Sequence, residues 1–196
     1  MAEAPVLTMP EAEAALLRET YAGAGVILEY GAGGSTLVAA TSAAKAVITV
    51  ESDRQWLAKV ASWFTINPAA VPVTLHHGNI GPTRKWGFPA GIAKSERWPG
   101  YALSVWDRAD FQHPDVVLVD GRFRLACMLA TLFHITRPVR RLCRARQLPP
   151  DRGPDRPPRN NRPDGCVYRH PAKLSDGRYG LDHGRLRESS LRVQGH

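Results

Sequence analysis

Four polar residues stand at the ends of short apolar runs, and their types suit a small polar ligand: Glu29 after "VIL", Glu51 after "AVITV", Asn79 after "VTLHHG" and Asp120 after "DVVLV". The first belongs to "VILEYGAGGST", where Glu29 precedes Gly31 by two residues and Gly33 by four. Glycines placed this way mark a turn where the backbone bends sharply or comes close to a ligand. A dinucleotide fingerprint G-x-G-x-x-G would need a third glycine at position 36, which is Thr36. It would also bring a doubly charged pyrophosphate to the turn, where Glu29 would repel it. The electrostatics favour a ligand with cationic groups and no phosphate.

S-adenosylmethionine is such a ligand, with an α-ammonium and a sulfonium that a nearby carboxylate attracts and a size that demands close backbone approach at glycines. Each residue also has a plainer reading. Glu29 and Glu51 could cap the helices that come after them, and Asp120 before Gly121 and Asn79 before Ile80 could be turn formers.

The elements needed to position these residues are legible as an alternation. Thr8 and Glu11 have capping-box spacing with Pro10 in the first turn, and Ala14, Leu17 and Tyr21 give the helix after them an apolar face. "TLVAATSAA" suits a helix packed closely on a sheet. Trp56, Leu57, Val60, Trp63 and Phe64 have the spacing of a helix with one buried face, and so do Leu125, Met128, Leu129, Leu132 and Phe133. With strands ending at Tyr30, Glu51, His77 and Asp120, the order predicts an α/β fold, a doubly wound, mostly parallel sheet. Ligands bind such sheets beyond the carboxyl ends of the strands, where the strand order reverses. His76 and His77 alternate across the third strand, so one faces the core and the other the solvent or a helix layer.

With these elements in place, the sequence resembles the class I, Rossmann-like S-adenosylmethionine-dependent methyltransferases, over roughly residues 10 to 138. The resemblance implies that Glu29, Gly31 and Gly33 form the loop holding the methionine end. Glu51 would take the ribose hydroxyls, Asn79 would meet the adenine where the family more often has Asp, and Asp120 would lie beside the transferred methyl as the candidate catalytic base. Methyl transfer is an in-line displacement at an activated carbon, so alignment and water exclusion are the main demands. Arg122 could hold an anionic acceptor, and no N/D-P-P-Y/F motif of amino-methylating nucleic-acid enzymes is present. The resemblance leaves the acceptor unidentified.

Between Ile80 and Pro114 the chain is far longer than the usual connection, and Trp86, Phe88, Trp98, Tyr101 and Trp106 argue that it packs. It reads either as a cap over the mouth of the site or as an arm packed elsewhere.

A net charge of +8 over 196 residues resembles a nucleic-acid footprint until it is located. Residues 1–136 hold 11 Lys+Arg and 12 Asp+Glu, while residues 137–196 hold 15 and 6. The excess therefore sits in the tail, which has 14 Arg against one Lys and eight prolines in runs such as "LPPDRGPDRPPRNNRPDG". The composition divides the chain into a methyltransferase-like cofactor-binding domain, 1–139, and an Arg/Pro-rich tail, 140–196, that predicts disorder or a shift of reading frame near Val139. "HITRPV" could begin a fifth strand, but "RRLCRARQLPPDRGPDRPPRNN" supplies no apolar strand, so the fold reads as truncated after the fourth strand and helix.

Cys127, Cys143 and Cys166 form no C-x-x-C pair, so neither a disulfide framework nor a metal site is indicated. An acidic N-terminal stretch and the lack of a run of about 20 apolar residues predict a cytoplasmic protein without membrane contact. Three functions fit: a methyltransferase using S-adenosylmethionine on an unidentified acceptor, an inactive methyltransferase-like remnant, or a protein that binds nucleic acid through its basic tail.

Overall fold

The computed structural model describes residues 3–144 and 165–169, with 141–144 and 165–169 described as backbone. Strands β1 (Val26–Tyr30), β2 (Ala46–Glu51), β3 (Val73–His77) and β4 (Val116–Val119) alternate with helices α1 (Glu11–Ala22), α2 (Gly34–Ala40) and α3 (Arg54–Ile66). A long segment after β3 carries the short helix α4 (Trp98–Leu103), and α5 (Arg124–His134) comes after β4. Two further strands are β5 (Arg140–Arg144) and β6 (Gly165–Arg169).

One sheet holds all six in the order β3-β2-β1-β4-β5-β6, parallel except for the antiparallel β5–β6 pair. The chain winds outward from β1 to β2 and β3, then returns to the other side of β1 with β4. The strand order therefore reverses between β1 and β4, the switch point where doubly wound sheets bind ligands. The doubly wound α/β sheet expected from sequence is the architecture found.

The near-continuous apolar strands follow from burial on both faces, since β1, β2 and β4 are buried throughout. Alternate residues serve two cores. Ile27, Val47, Val116 and Leu118 pack with Leu17 and Tyr21 of α1 and Ala39 of α2. Leu28, Tyr30, Ile48, Val50, Val117 and Val119 pack with Tyr101 and Ala102 of α4, Val105, Trp106, and Cys127 and Ala130 of α5. Each such fully buried Leu, Ile or Val contributes about 1.5–3 kcal/mol.

Three local expectations differ from the structure. Helix α1 begins with Pro10 at the N-cap and no side-chain cap, in place of the Thr8–Glu11 box, because Pro10 presets φ at −54° and needs no donor there. In α5 the buried residues are Cys127, Ala130 and Thr131, while Leu125, Leu129 and Phe133 are exposed; small side chains let the helix lie close on the sheet, and the large apolar ones face away. Beside β4, "RRLCR" forms β5 although it lacks an apolar period, because a ladder needs only backbone donors and acceptors.

Val139 is buried in the core that contains α5. Of the tail read as disordered or frame-shifted, 145–164 and 170–196 lie outside the described residues. Cys127 is buried, its thiol donating to Arg122 O at 3.4 Å, and the side chains of Cys143 and Cys166 lie outside the described residues. Among the described residues no helix is long and apolar enough to cross a membrane, and no group of three or more His, Cys, Asp or Glu is placed to hold a metal ion.

Candidate functional site

At the switch point the turns after β1 and β4 touch through two glycines. Gly31 has φ +110°, and a Cβ there would lie 2.8 Å from the backbone nitrogen of Gly121. A Cβ on Gly121 would in turn collide with the Tyr101 hydroxyl and come within 2.9 Å of Gly31 N. Neither position accepts a side chain. Gly33, the N-cap of α2, differs: nothing lies within 4 Å of where its Cβ would be, so the backbone there faces open space. Gly34 is covered by the backbone of Val6 and Leu7.

Beneath this turn lies Glu29. It shares a face with Ile27, toward α1, and is fully buried. The Tyr21 hydroxyl donates to its Oε1 at 2.8 Å and the Thr49 hydroxyl to its Oε2 at 2.6 Å. Burial raises the pKa of the carboxyl above the ordinary Glu value, opposed by hydrogen bonds from Thr49, Thr36, Tyr21 and Ser35. Glu29 thus supports the turn from inside, with no surface on the solvent.

Glu51 ends β2 and reaches the turn directly. Its Oε2 accepts from Ala32 N at 3.1 Å, and its Oε1 accepts from Ser52 N at 2.6 Å, Asp53 N at 2.8 Å and the Ser52 hydroxyl at 3.1 Å. The cap of α3 is Asp53, whose carboxylate accepts from Gln55 N and Trp56 N, so Glu51 is spared that task. Trp56 holds the other side of the turn, donating its indole N–H to Ala32 O at 2.8 Å.

Asn79 is exposed, with its side-chain oxygen accepting from Gly81 N at 3.0 Å in a local turn, and the residue before it, Gly78, donates its N–H to Glu51 O at 2.9 Å. Asp120 is at the switch point: its N–H donates to Tyr30 O at 3.0 Å, and its carboxylate pairs with Arg124 at 3.1 Å. Glu51 and the glycine turn are therefore in direct contact, Asp120 is joined to them through Gly121, and Asn79 to the end of β2 through Gly78. His76 accepts from Arg108 at Nδ1, which leaves its Nε2–H to donate to the Ser104 hydroxyl at 2.8 Å. Burial and the Arg108 charge lower its pKa, as that neutral form requires.

The long segment between β3 and β4 packs in two halves. Its α4 half packs in the core, where Tyr30 donates to Ala102 O and accepts from the Trp106 indole. Its first half is a two-residue ladder, Thr83–Arg84 against Phe88–Pro89, whose tip lies on Glu51. Gly87, at φ +67°, would place a Cβ 3.1 Å from Glu51 Oε1 and in collision with the Ser52 hydroxyl, and that hydroxyl lies 3.1 Å from Gly87 O. On the other side, the Arg122 guanidinium lies 4.1 Å from the centroid of the Phe88 ring. The tip thus bridges the ends of β2 and β4. The non-glycine residues with positive φ, Trp86 (66°) and Phe123 (49°), flank this bridge. Left-handed backbone costs such residues about 1–2 kcal/mol, a strain that clusters at functional sites.

Sequence reasoning missed Ser52, Trp56, Gly87 and Thr49. Thr49 is the polar residue in "AVITV", paired in register with Glu29, and "KWGFP" places Gly87 between two aromatics. Trp56 fitted the apolar spacing of its helix, which hid its bond to the turn. A cleft of about 290 Å³ lined by Thr20, Gly23, Asp115, Val116, Pro138, Val139 and Arg140 lies at the amino ends of the strands, opposite the acids and glycines.

No protein-family model and no curated protein matches the chain. Among solved structures it is similar to a methyltransferase-like protein from Silicibacter pomeroyi, at 54% identity over 71% of this chain and 73% of that one, with a TM-score of 0.70. With a Rossmann-like sheet and identity at this level across most of both chains, the protein belongs to the methyltransferase-like family.

Proposed function

We propose that the chain binds S-adenosylmethionine at the carboxyl ends of β1 and β2 and directs its methyl group to an acceptor near Asp120. The observation that carries this is the carboxylate of Glu51, bonded to the N–H of Ala32 within the glycine turn at the switch point of the sheet. The residues fit the cofactor. Gly33 faces open space, and Glu29 and Glu51 place two carboxyl groups behind and beside the turn, which suits a ligand with cationic groups better than a pyrophosphate. The four donors on Glu51 nearly fill its acceptor capacity, but one is exchangeable. The Ser52 hydroxyl has a single hydrogen and two acceptors within reach, Glu51 Oε1 and Gly87 O. Rotation toward Gly87 relieves the crowded Oε1, and Glu51 Oε2, which accepts from Ala32 N alone, keeps a lone pair for a ribose hydroxyl.

When bound, the cofactor supplies a methyl group already activated by its sulfonium. The protein's part is to orient and to exclude water. Glu51 and the Gly31–Gly33 turn orient the cofactor, with Glu29 positioning the turn from below; the 86–88 tip covers the β2 end. Asp120, fixed by Arg124, is the carboxylate nearest the switch point to take a proton from an acceptor that must lose one. Asn79 is the candidate for the adenine, from a turn that already uses its oxygen. The location proposed for this activity is the cytoplasm, in keeping with cysteines that form no framework.

Discrimination between ligands tests the reading. At about 100-fold its dissociation constant, S-adenosylhomocysteine should stabilise the chain by about 2.7 kcal/mol, raising the melting midpoint about 5–10 °C, while NAD⁺ at equal concentration leaves it in place. A shift with NAD⁺ alone, or equal shifts with both, would overturn it. The basic tail favours a second reading, binding to RNA or DNA phosphates; salt-dependent retention of a labelled oligonucleotide, lost when 140–196 are removed, would put that reading in its place.

A further inference from the structure

The arginines around the mouth of the site are not equivalent. Arg124 donates to the Asp120 carboxylate and to the carbonyls of Asp120 and Gly121. Arg108 is paired with Asp110 and Arg97 with Glu96, and Arg84 donates to Ala90 O. Arg122 is different. Among the described residues no carboxylate lies within ion-pair distance of its guanidinium, and no hydrogen bond from the guanidinium is formed. Its guanidinium carbon lies instead over the Phe88 ring, 4.1 Å from the centroid, while its backbone N–H donates to the Tyr101 hydroxyl at 3.4 Å.

A guanidinium that lies over an aromatic ring and meets no acceptor among the described residues keeps its N–H donors for the fork that matches a carboxylate or phosphate. The aromatic contact also reduces the side-chain freedom left to lose on binding. The residue is two positions past Asp120, beyond the glycine that touches Gly31, so it belongs to the acceptor side of the switch point.

We propose that Arg122, braced by Phe88, is the specificity residue of an anion subsite, and that the methyl acceptor is a small molecule carrying a carboxylate or phosphate. This rests on the methyltransferase reading. Partial burial and the neighbouring charge of Arg124 lower the pKa of Arg122, opposed by Tyr101, Glu51 and Asp120, so an anion that reaches the guanidinium meets a partly desolvated cation whose nearest carboxylates form no ion pair with it. Lys85, 5.6 Å from the centroid of the Trp86 ring on the same tip, adds positive potential at the rim.

The full chain saturated with S-adenosylhomocysteine is titrated by calorimetry with benzoate and, separately, phenyl phosphate, using benzyl alcohol as the uncharged control. One anion should bind with benzyl alcohol silent, and which of the two binds more tightly identifies the headgroup. Arg122→Met should weaken that anion about tenfold to hundredfold, Arg122→Lys should recover part of the loss, and both variants should keep wild-type affinity for S-adenosylhomocysteine. Phe88→Leu should weaken the anion with the charge retained. Wild type silent to both anions, Arg122→Met binding as well as wild type, or benzyl alcohol binding as well as the anions would each overturn the proposal. A wild type that binds S-adenosylhomocysteine and neither anion defeats this subsite alone; one that binds neither S-adenosylhomocysteine nor any anion defeats the cofactor reading as well.

Discussion

Glu29 shows what a residue type can and cannot say. Its spacing from Gly31 and Gly33 marked the turn correctly, but the period-2 alternation of β1 turns its side chain inward, onto Tyr21 and Thr49. A sequence displays the spacing of an acid from a glycine; it does not display which hydroxyls from distant elements will meet it. The burial has a consequence for stability. Because the folded-state pKa of Glu29 lies above its unfolded value, its contribution is fully present at low pH and is lost as pH rises through the raised value. Glu29→Gln removes that titration, so its melting midpoint relative to wild type should improve as pH rises from the ordinary Glu value through the raised one, and then level off. A difference independent of pH across that range would mean that burial does not perturb Glu29. At Trp56, replacement by Phe removes the indole donor to Ala32 O and should cost about 1 kcal/mol in denaturant unfolding.

At the scale of elements, β1 to β4 and the helices α1, α2, α3 and α5 were legible because each strand is an apolar run and each helix has an apolar or small-residue pattern long enough to read, while α4 was not read as a helix. The hairpin tip at 85–89 was not legible: two-residue strands have no period, and its placement depends on Gly87 fitting against Ser52 and Glu51. Gly87→Ala should therefore act twice, through left-handed backbone worth about 1–2 kcal/mol and through a methyl against Ser52. The expected outcome is a lower melting midpoint and faster release of S-adenosylhomocysteine in stopped-flow measurements; unchanged release would separate the tip from the cofactor site. Helix α5 misled in the opposite way, since its most regular apolar stripe is the exposed one. Phe133→Ser should change stability by less than about 0.5 kcal/mol, where a core phenylalanine would cost several times that.

At the scale of the whole molecule, composition divides the chain near Val139. The similarity to the Silicibacter pomeroyi protein extends over 71% of the chain. Exposed Leu125, Leu129 and Phe133 give α5 an apolar face of the kind a further packed element would cover. If the frame shifts at that point, the coding DNA past codon 139 should encode, in another frame, an apolar strand, a helix of 3.6 periodicity and further strands. Chemistry at the site rests on the part before the break, and there the central claim is that Glu51 holds the cofactor. Calorimetric titration of the full chain with S-adenosylhomocysteine, wild type against Glu51→Ala, tests it most directly. Losing a carboxylate that accepts from ribose hydroxyls costs about 1.5–3 kcal/mol, so the account predicts one-site binding weakened by about one to two decades in the variant. Equal affinities, or no binding to wild type, would contradict it.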